Sequence, residues 1–287
     1  MHELYRQYKG LLFTLAYQLT GSTADAEDVV QDVFLKLHDI KQERLVEPKA
    51  YLCKMVTNRC LDLLKSARKK REHYFGQWLP EPIPTSIDEA FESVAQDELL
   101  SYAIIVLLER LSPIERTVFV LREALSLEYA VISELIDKSE ENCRKIISRS
   151  RGKLGIDIKE PINAQNDNEE WVRQFLVALE QGHIDNVVSM LSEDVTLVSD
   201  GGGKAPAALY PIESSHQVAR LLLGLIRKAP NYAGGVNIEL SNINGQIGLV
   251  MRSKKGIIGV MLMYIKSNVA HNLYFVWNPD KLRLLSK

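Results

Sequence analysis

Two all-α modules followed by an α+β domain is the architecture the sequence predicts, on three observations. Apolar residues recur at helical spacing from Leu4 to Leu154. Prolines and acids break that pattern over residues 75–97. Beyond Asn163, two helical stretches precede strand-like runs separated by short polar turns. At 287 residues the chain is long enough for two or three compact units. We set the expected boundaries at 1–74, 75–97, 98–156 and 165–287.

Leu4, Tyr8, Leu11, Leu12, Leu15 and Leu19 line one face of a first helix, which Gly21-Ser22 stops. Ser22 is placed to cap a second, with Ala26, Val29, Val30, Val33, Phe34 and Leu37 inward and Asp25, Asp28, Gln31, Asp32 and Lys36 outward. Glu47-Pro48 opens a third, burying Leu52, Val56, Cys60, Leu63 and Ala67 and showing Asn58, Asp62, Lys65 and Lys69. Gly76, Pro80, Pro82 and Pro84 forbid a continuous helix, and the acids that follow mark a linker. A second helical module starts near Asp97, with Ser112-Pro113 opening one helix and Asp137-Lys138 separating Leu127–Ile136 from Ser139–Leu154. Beyond it, helices carry Trp171, Phe175, Leu176 and Leu179, then Ile184 to Leu191, then Val218 to Leu225, with a strand at Val195–Val198 between the last two. The run from Val236 to Leu285 looks strand-like, cut by turns at Asn242–Gly245, Ser253–Gly256 and Lys266–Asn268.

A formal net charge of −2 argues against a protein that coats nucleic acid, but the charge is segregated. Lys65, Arg68, Lys69, Lys70 and Arg71 form one basic cluster. Arg144, Lys145, Arg149, Arg151 and Lys153 form another, and Glu81, Asp88, Glu89, Glu92, Asp97 and Glu98 lie between them. Met1 to Thr20 lacks the apolar core of a signal peptide, and no run reaches the ~18 apolar residues of a spanning helix. Cys53, Cys60 and Cys143 have no metal-ligand spacing and suit buried thiols, so we expect a cytoplasmic protein. The six histidines are scattered, and we expect neither a metal nor a cofactor.

Residues 127–154 have the grammar of a helix-turn-helix. Leu127, Ile132, Leu135 and Ile136 support a second helix that Ser139 caps, with Cys143, Ile146, Ile147 and Leu154 inward. Lys138, Ser139, Glu140, Asn142, Arg144, Lys145 and Arg149 are left for base edges and phosphates. The stretch from Leu111 to Leu154 closely resembles region four of extracytoplasmic-function sigma factors, which reads the −35 promoter element. Asp137 stands where relatives usually have Gly, and Ala130 replaces a usual acid; Asp tolerates a left-handed turn. DAEDVVQDVFLKL, residues 25–37, resembles the region-two helix that docks on core RNA polymerase, which implies roles for Asp28, Gln31, Asp32 and Lys36. Residues 50–72 resemble the −10 recognition helix. That resemblance directs Asn58, Arg59, Asp62, Lys65, Arg68 and Lys69 to the opened promoter, and loop 40–47 to a flipped base.

Three further strings resemble the sigma subgroup with a SnoaL-like domain, of nuclear-transport-factor-like fold, fused after region four. They are Trp78-Leu79-Pro80-Glu81-Pro82, Asp200-Gly201-Gly202-Gly203-Lys204 and Asn278-Pro279-Asp280-Lys281-Leu282. The resemblance implies a regulatory contact between linker and added domain that replaces a separate anti-sigma protein. The expected partners are core RNA polymerase and promoter DNA. The alternatives for the added domain are a small-molecule sensor or, behind it, a cyclase- or isomerase-like enzyme using Asp200, His216, Glu239, Tyr264 or His271. No acid–base pair is identifiable, so we expect no enzyme.

Overall fold

The computed structural model describes residues 2–38, 47–71, 73–85, 99–155, 168–231 and 235–286. It divides into two compact units, one of residues 1–72 with 86–164, the other of 73–85 with 165–287.

The first unit is helical. Its elements are α1 (His2–Thr20), α2 (Thr23–His38), α3 (Pro48–Arg71), α4 (Tyr102–Leu107), α5 (Pro113–Glu123), α6 (Tyr129–Ile136) and α7 (Glu140–Leu154). Gly21 ends α1 at φ +68°, a backbone angle that glycine adopts without a Cβ penalty, and the Ser22 hydroxyl accepts the Asp25 amide at 3.3 Å as α2 begins. Ser112 and Glu115 close a reciprocal capping box at the start of α5, with Pro113 in the first turn. Leu12, Leu15, Tyr17, Leu37 and Leu52 are fully buried among the first three helices. Two details of the expected pattern change. Phe34 is only half-buried, edge-on to Tyr5, and Leu64 rather than Leu63 is the buried residue of its turn.

The helices up to α3 and those from α4 onward pack on each other through polar bolts. Arg116, 4 % exposed, donates to the carbonyls of Leu19 at 2.9 Å and Leu108 at 3.0 Å and pairs with Glu109 at 2.8 Å. The guanidinium thereby satisfies a helix-end carbonyl that has no partner within α1. Gln18 accepts the Leu100 amide at 3.0 Å, and Lys54 donates to the Glu134 carbonyl at 3.1 Å.

The second unit carries α8 (Glu169–Gln181), α9 (Ile184–Ser189), β1 (Leu191–Asp200), β2 (Ile212–Glu213), α10 (Ser215–Lys228), β3 (Asn237–Ile243), β4 (Gln246–Ser253), β5 (Gly256–Lys266) and β6 (Val269–Val276). The sheet order is β2-β1-β6-β5-β4-β3, with β1 and β6 parallel and the other neighbours antiparallel. The three predicted turns are tight hairpins. Asn244-Gly245 and Ser267-Asn268 take positive φ at both residues, matching the twist of the strands they join. Register shifts in β4–β5 and β5–β6 bend the sheet, as bulges do. Its concave face packs Leu249, Met261, Leu273 and Phe275 with Trp171, Phe175 and Leu222 of the helices. The strand-like reading fails after Val276, because Pro279–Ser286 is a 3-10 helix. The Asn278 side chain accepts the Asp280 amide at 3.1 Å and its carbonyl accepts the Lys281 amide at 3.0 Å, and this local turn takes over from the ladder.

Replacing Arg116 by Met should destabilise the helical unit by about 3 kcal/mol, since carbonyls and Glu109 lose a buried partner. Urea denaturation of the full-length chain, followed by circular dichroism, measures it.

Candidate nucleic-acid interface and linker-binding site

The α6–α7 pair has the geometry of a reading head. Asp137 adopts the left-handed conformation at φ 55° and ψ 55°, so the turn forms without glycine. The Ser139 hydroxyl accepts the Asn142 amide at 3.3 Å, and Cys143, Ile146 and Ile147 are buried beneath. Lys138, Ser139, Glu140, Asn142, Arg144, Lys145 and Arg149 are all exposed. Arg144 pairs with Glu140 at 3.0 Å and lies 4.6 Å from the centre of the Tyr129 ring, while Lys145 pairs with Glu141 at 2.5 Å. Such exposed pairs contribute little to stability, so the cations exchange partners easily. Arg151 and Lys153 are committed elsewhere. Arg151 makes a two-pronged pair with Glu123 at 3.0 and 2.7 Å, and Lys153 binds Glu115 at 2.5 Å. Both tie α7 to α5.

On α2, Asp28, Gln31 and Lys36 are exposed and Asp32 is half-buried. Leu35, missed in the sequence reading, lies 70 % exposed beside them, an apolar centre for a charged rim. Along α3, Asn58, Asp62 and Lys65 are exposed, and Asp62 pairs with Lys65 at 3.1 Å. Arg59 donates to Asp32 at 2.9 Å, which joins a residue expected at DNA to one expected at polymerase. The side chains of Arg68 and Lys69, and loop residues 40–46, lie outside the described residues.

The three strings converge within the second unit. Asp200, at the end of β1, is fully buried and accepts from the Tyr74 hydroxyl at 2.6 Å, the Leu79 amide at 2.9 Å and the Lys281 ammonium at 2.6 Å. Lys281, 7 % exposed, also donates to the Leu79 carbonyl at 2.5 Å. Its nitrogen lies 4.2 Å from the Trp78 ring centre and 4.9 Å from that of Tyr74, so two aromatic faces complete the cage. Asn278 donates to the Tyr74 oxygen at 2.8 Å. A side chain at Gly202 (φ +57°) would collide with Asn278 and Tyr74, so this glycine lets the loop close on both. The Gly201 carbonyl accepts the Lys204 and Ala205 amides, and Gly203 packs under Phe75. Lys204 binds Asp280, and this bond, with Arg283 adding to it, holds the Asp280 carboxyl below the usual carboxylate range. Leu79, Pro80, Pro82 and Leu282 are buried, Glu81 is half-buried, and Pro279 is exposed. Further along, Ile83 donates to Asn244 Oδ1 at 3.1 Å and Thr85 to the Asn242 carbonyl at 3.1 Å.

Against that geometry stand the family matches. Residues 4–70 match sigma-70 region 2 and residues 101–154 match sigma-70 region 4. The extracytoplasmic-function (ECF) RNA polymerase sigma factor SigJ of Mycobacterium tuberculosis is 34 % identical over 283 residues, covering 94 % of this chain and 89 % of that one. The chain belongs to the extracytoplasmic-function sigma factors. The crystal structure of the same SigJ superposes with a TM-score of 0.78 at 29 % identity, over 99 % of this sigma factor and 98 % of that chain. The probable ECF sigma factor SigI of M. tuberculosis is 28 % identical over 67 % of each chain. As a sigma factor, the protein works with core RNA polymerase at promoter DNA. No helix among the described residues is long and apolar enough to cross a membrane.

The residues weighed for catalysis do not meet. Asp200 is committed to the linker, and Glu239 pairs with Arg252 at 3.0 Å. His216 is exposed, and His271 stands 3.9 Å from the exposed Asp194 and 6.3 Å, ring to ring, from Tyr264. Along β6, His271, Leu273 and Phe275 occupy alternate positions. Phe275 and Trp277 do line a cavity between the sheet and α10, of about 260 Å³, but His271 is not on its wall.

Replacing Asp200 by Asn should destabilise the second unit by about 3 kcal/mol, because Lys281 is left buried without its counter-charge. Hydrogen exchange at the Leu79 amide should rise in parallel. Burial first, and the bond to Asp200 second, raise the Tyr74 phenol. A raised phenol contributes fully below its ordinary pKa of ~10 and less as pH climbs beyond it. Tyr74→Phe should therefore flatten the loss of stability above that pH, read by urea midpoints across an alkaline series.

Proposed function

We propose that this sigma factor reads the −10 element with α3 and the −35 element with α7, and that its C-terminal domain regulates it by holding the intervening linker. In this reading Asn58, Arg59, Asp62, Lys65, Arg68 and Lys69 face the opened −10 region. Lys138, Ser139, Glu140, Asn142, Arg144, Lys145 and Arg149 face the −35 duplex. Asp28, Gln31, Asp32, Lys36 and, added from its exposure, Leu35 meet core polymerase. The observation that carries the regulatory half is the capture of residues 74–85 through Asp200, Lys281 and Asn244.

Distance supplies the physical reason. The two promoter elements are separated by about 25 base pairs, roughly 80 Å of duplex at ~3.4 Å per pair. The helices around α3 and α7 contact one another in the first unit, so simultaneous reading requires them to part. The chain between them must then lengthen, and residues 74–85 are the part of it that the C-terminal domain binds. A domain that holds this segment limits how far the modules separate and performs the task of a separate anti-sigma protein. It does so without chemistry of its own, acting in the cytoplasm as a SnoaL-like regulatory module.

The test is promoter-dependent transcription with bacterial core polymerase and full-length protein. Trp78→Ala and Lys204→Ala should change output at least several-fold while core binding stays intact. Wild-type output from both would refute the regulatory reading. In the same assay Arg144→Ala with Lys145→Ala should weaken promoter binding about tenfold, equivalent to ~1.4 kcal/mol, and unchanged promoter selectivity would remove α7 from the −35 element.

A further inference from the structure

The cavity between the concave sheet and α10 belongs to none of the roles above. It has a volume of about 260 Å³ and is lined by Leu222, Leu225, Ile238, Met251, Pro206 and Trp277, among others. Among the described residues, the wall's polar side-chain groups are the Lys228 ammonium, exposed at the end of α10, and the indole N–H of Trp277. An ionic or strongly hydrogen-bonding ligand would surrender its water there and find no carboxylate, imidazole, hydroxyl or amide side chain among the described wall residues in exchange. An apolar cavity of ~150 Å³ already accepts benzene, so this one has room for a bicyclic hydrocarbon or an alkyl chain of similar bulk. A well-packed core leaves few voids larger than a water molecule, and this one stands open beside the buried core of the domain.

The cavity wall is also one residue from the linker anchor. Trp277 donates its amide to the Asp200 carbonyl at 2.7 Å, and the next residue, Asn278, donates to the same carbonyl at 3.0 Å and to Tyr74 through its side chain. The Trp277 ring stacks on Phe275 with centroids 4.0 Å apart and rests against Gly259, where a Cβ would lie 2.7 Å from the ring. Pro206 belongs to the loop that follows the glycine run, and that segment meets the linker where Gly203 lies against Phe75 and Leu209 against Gly76. An occupant that presses on Trp277 and Pro206 presses on both arms of the clamp around residues 74–79.

We propose that this cavity is an effector site for an uncharged, largely apolar small molecule, and that its occupancy changes the hold of the C-terminal domain on the linker. The proposal deepens the regulatory reading and rests on it for its biological meaning, while its physical content is tested without transcription. The probe is N-phenyl-1-naphthylamine, an uncharged two-ring dye that fluoresces in apolar surroundings, titrated into the full-length protein. The expected result is saturable binding of one dye per chain. Ile238→Trp and, separately, Leu225→Phe, both at half-buried wall positions, should weaken binding at least tenfold while thermal unfolding stays cooperative. Saturating dye should change hydrogen exchange at the Leu79 and Ile83 amides several-fold in the wild type and leave it unaltered in Ile238→Trp. No saturable binding, or binding that neither wall variant weakens, overturns the site. Tight binding with unchanged exchange at Leu79 overturns the coupling. Neither result touches the response of transcription to Trp78→Ala, so the two readings fail separately.

Discussion

The second unit depends on one buried charge, the Asp200 carboxylate at the end of β1. A carboxylate without solvent needs its lone pairs answered, and three donors from two other chain segments answer this one. Tyr74 and Leu79 come from the linker, and Lys281 comes from the C-terminal 3-10 helix. The ion pair itself adds modest net stability, since both partners have lost their water. Its effect is on specificity. The charges are compensated in one arrangement of the three segments, so the linker either sits with Leu79 between Asp200 and Lys281 or leaves a buried charge short of a partner.

That constraint explains why the motif residues have their identities. A glycine is needed at 202 because Asn278 and Tyr74 occupy the space of its side chain. An aromatic residue at 78 offers the ammonium of Lys281 a face in place of water. The prolines at 80 and 82 keep the segment extended where its backbone runs beside the sheet. In the helical unit the same economy applies to Arg116, which answers carbonyls from two helices that would otherwise be buried without a donor.

Much of this was legible in the residues. The helix starts at Ser112 and Ser139, the left-handed Asp137 and the three hairpin turns are local, and local rules located them. The α+β order of the C-terminal domain followed from periodicity. What escaped depends on contacts far apart in sequence. The joining of Asp200 to residues 74 and 281 spans more than a hundred positions on one side, and no spacing rule reaches that far. Arg151 counts in the sequence as one member of a basic cluster, and only the packing of α7 on α5 shows that it belongs to Glu123. Leu35 falls in neither face that the periodicity assigns, and its exposure alone marks it out. The strand pattern ends at Val276 because an asparagine side chain competes with the sheet for its backbone.

Residues 83–85 do more than follow the clamp. Pro84 bridges to Ile243, Thr85 donates to the carbonyl of Asn242, and the Asn244 amide donates to the carbonyl of Ile83, so the linker lies along the outer margin of β3 as a fragment of a further strand. An uncovered sheet margin is a template that accepts any extended chain, including another copy of itself. Here the cover is part of the peptide that joins the region 2 and region 4 segments. Freeing that peptide exposes adhesive backbone in the same movement, so the freed form invites self-association unless another extended segment takes the vacated place. A segment held this way has a standing reason to return, because its release would leave that margin uncovered.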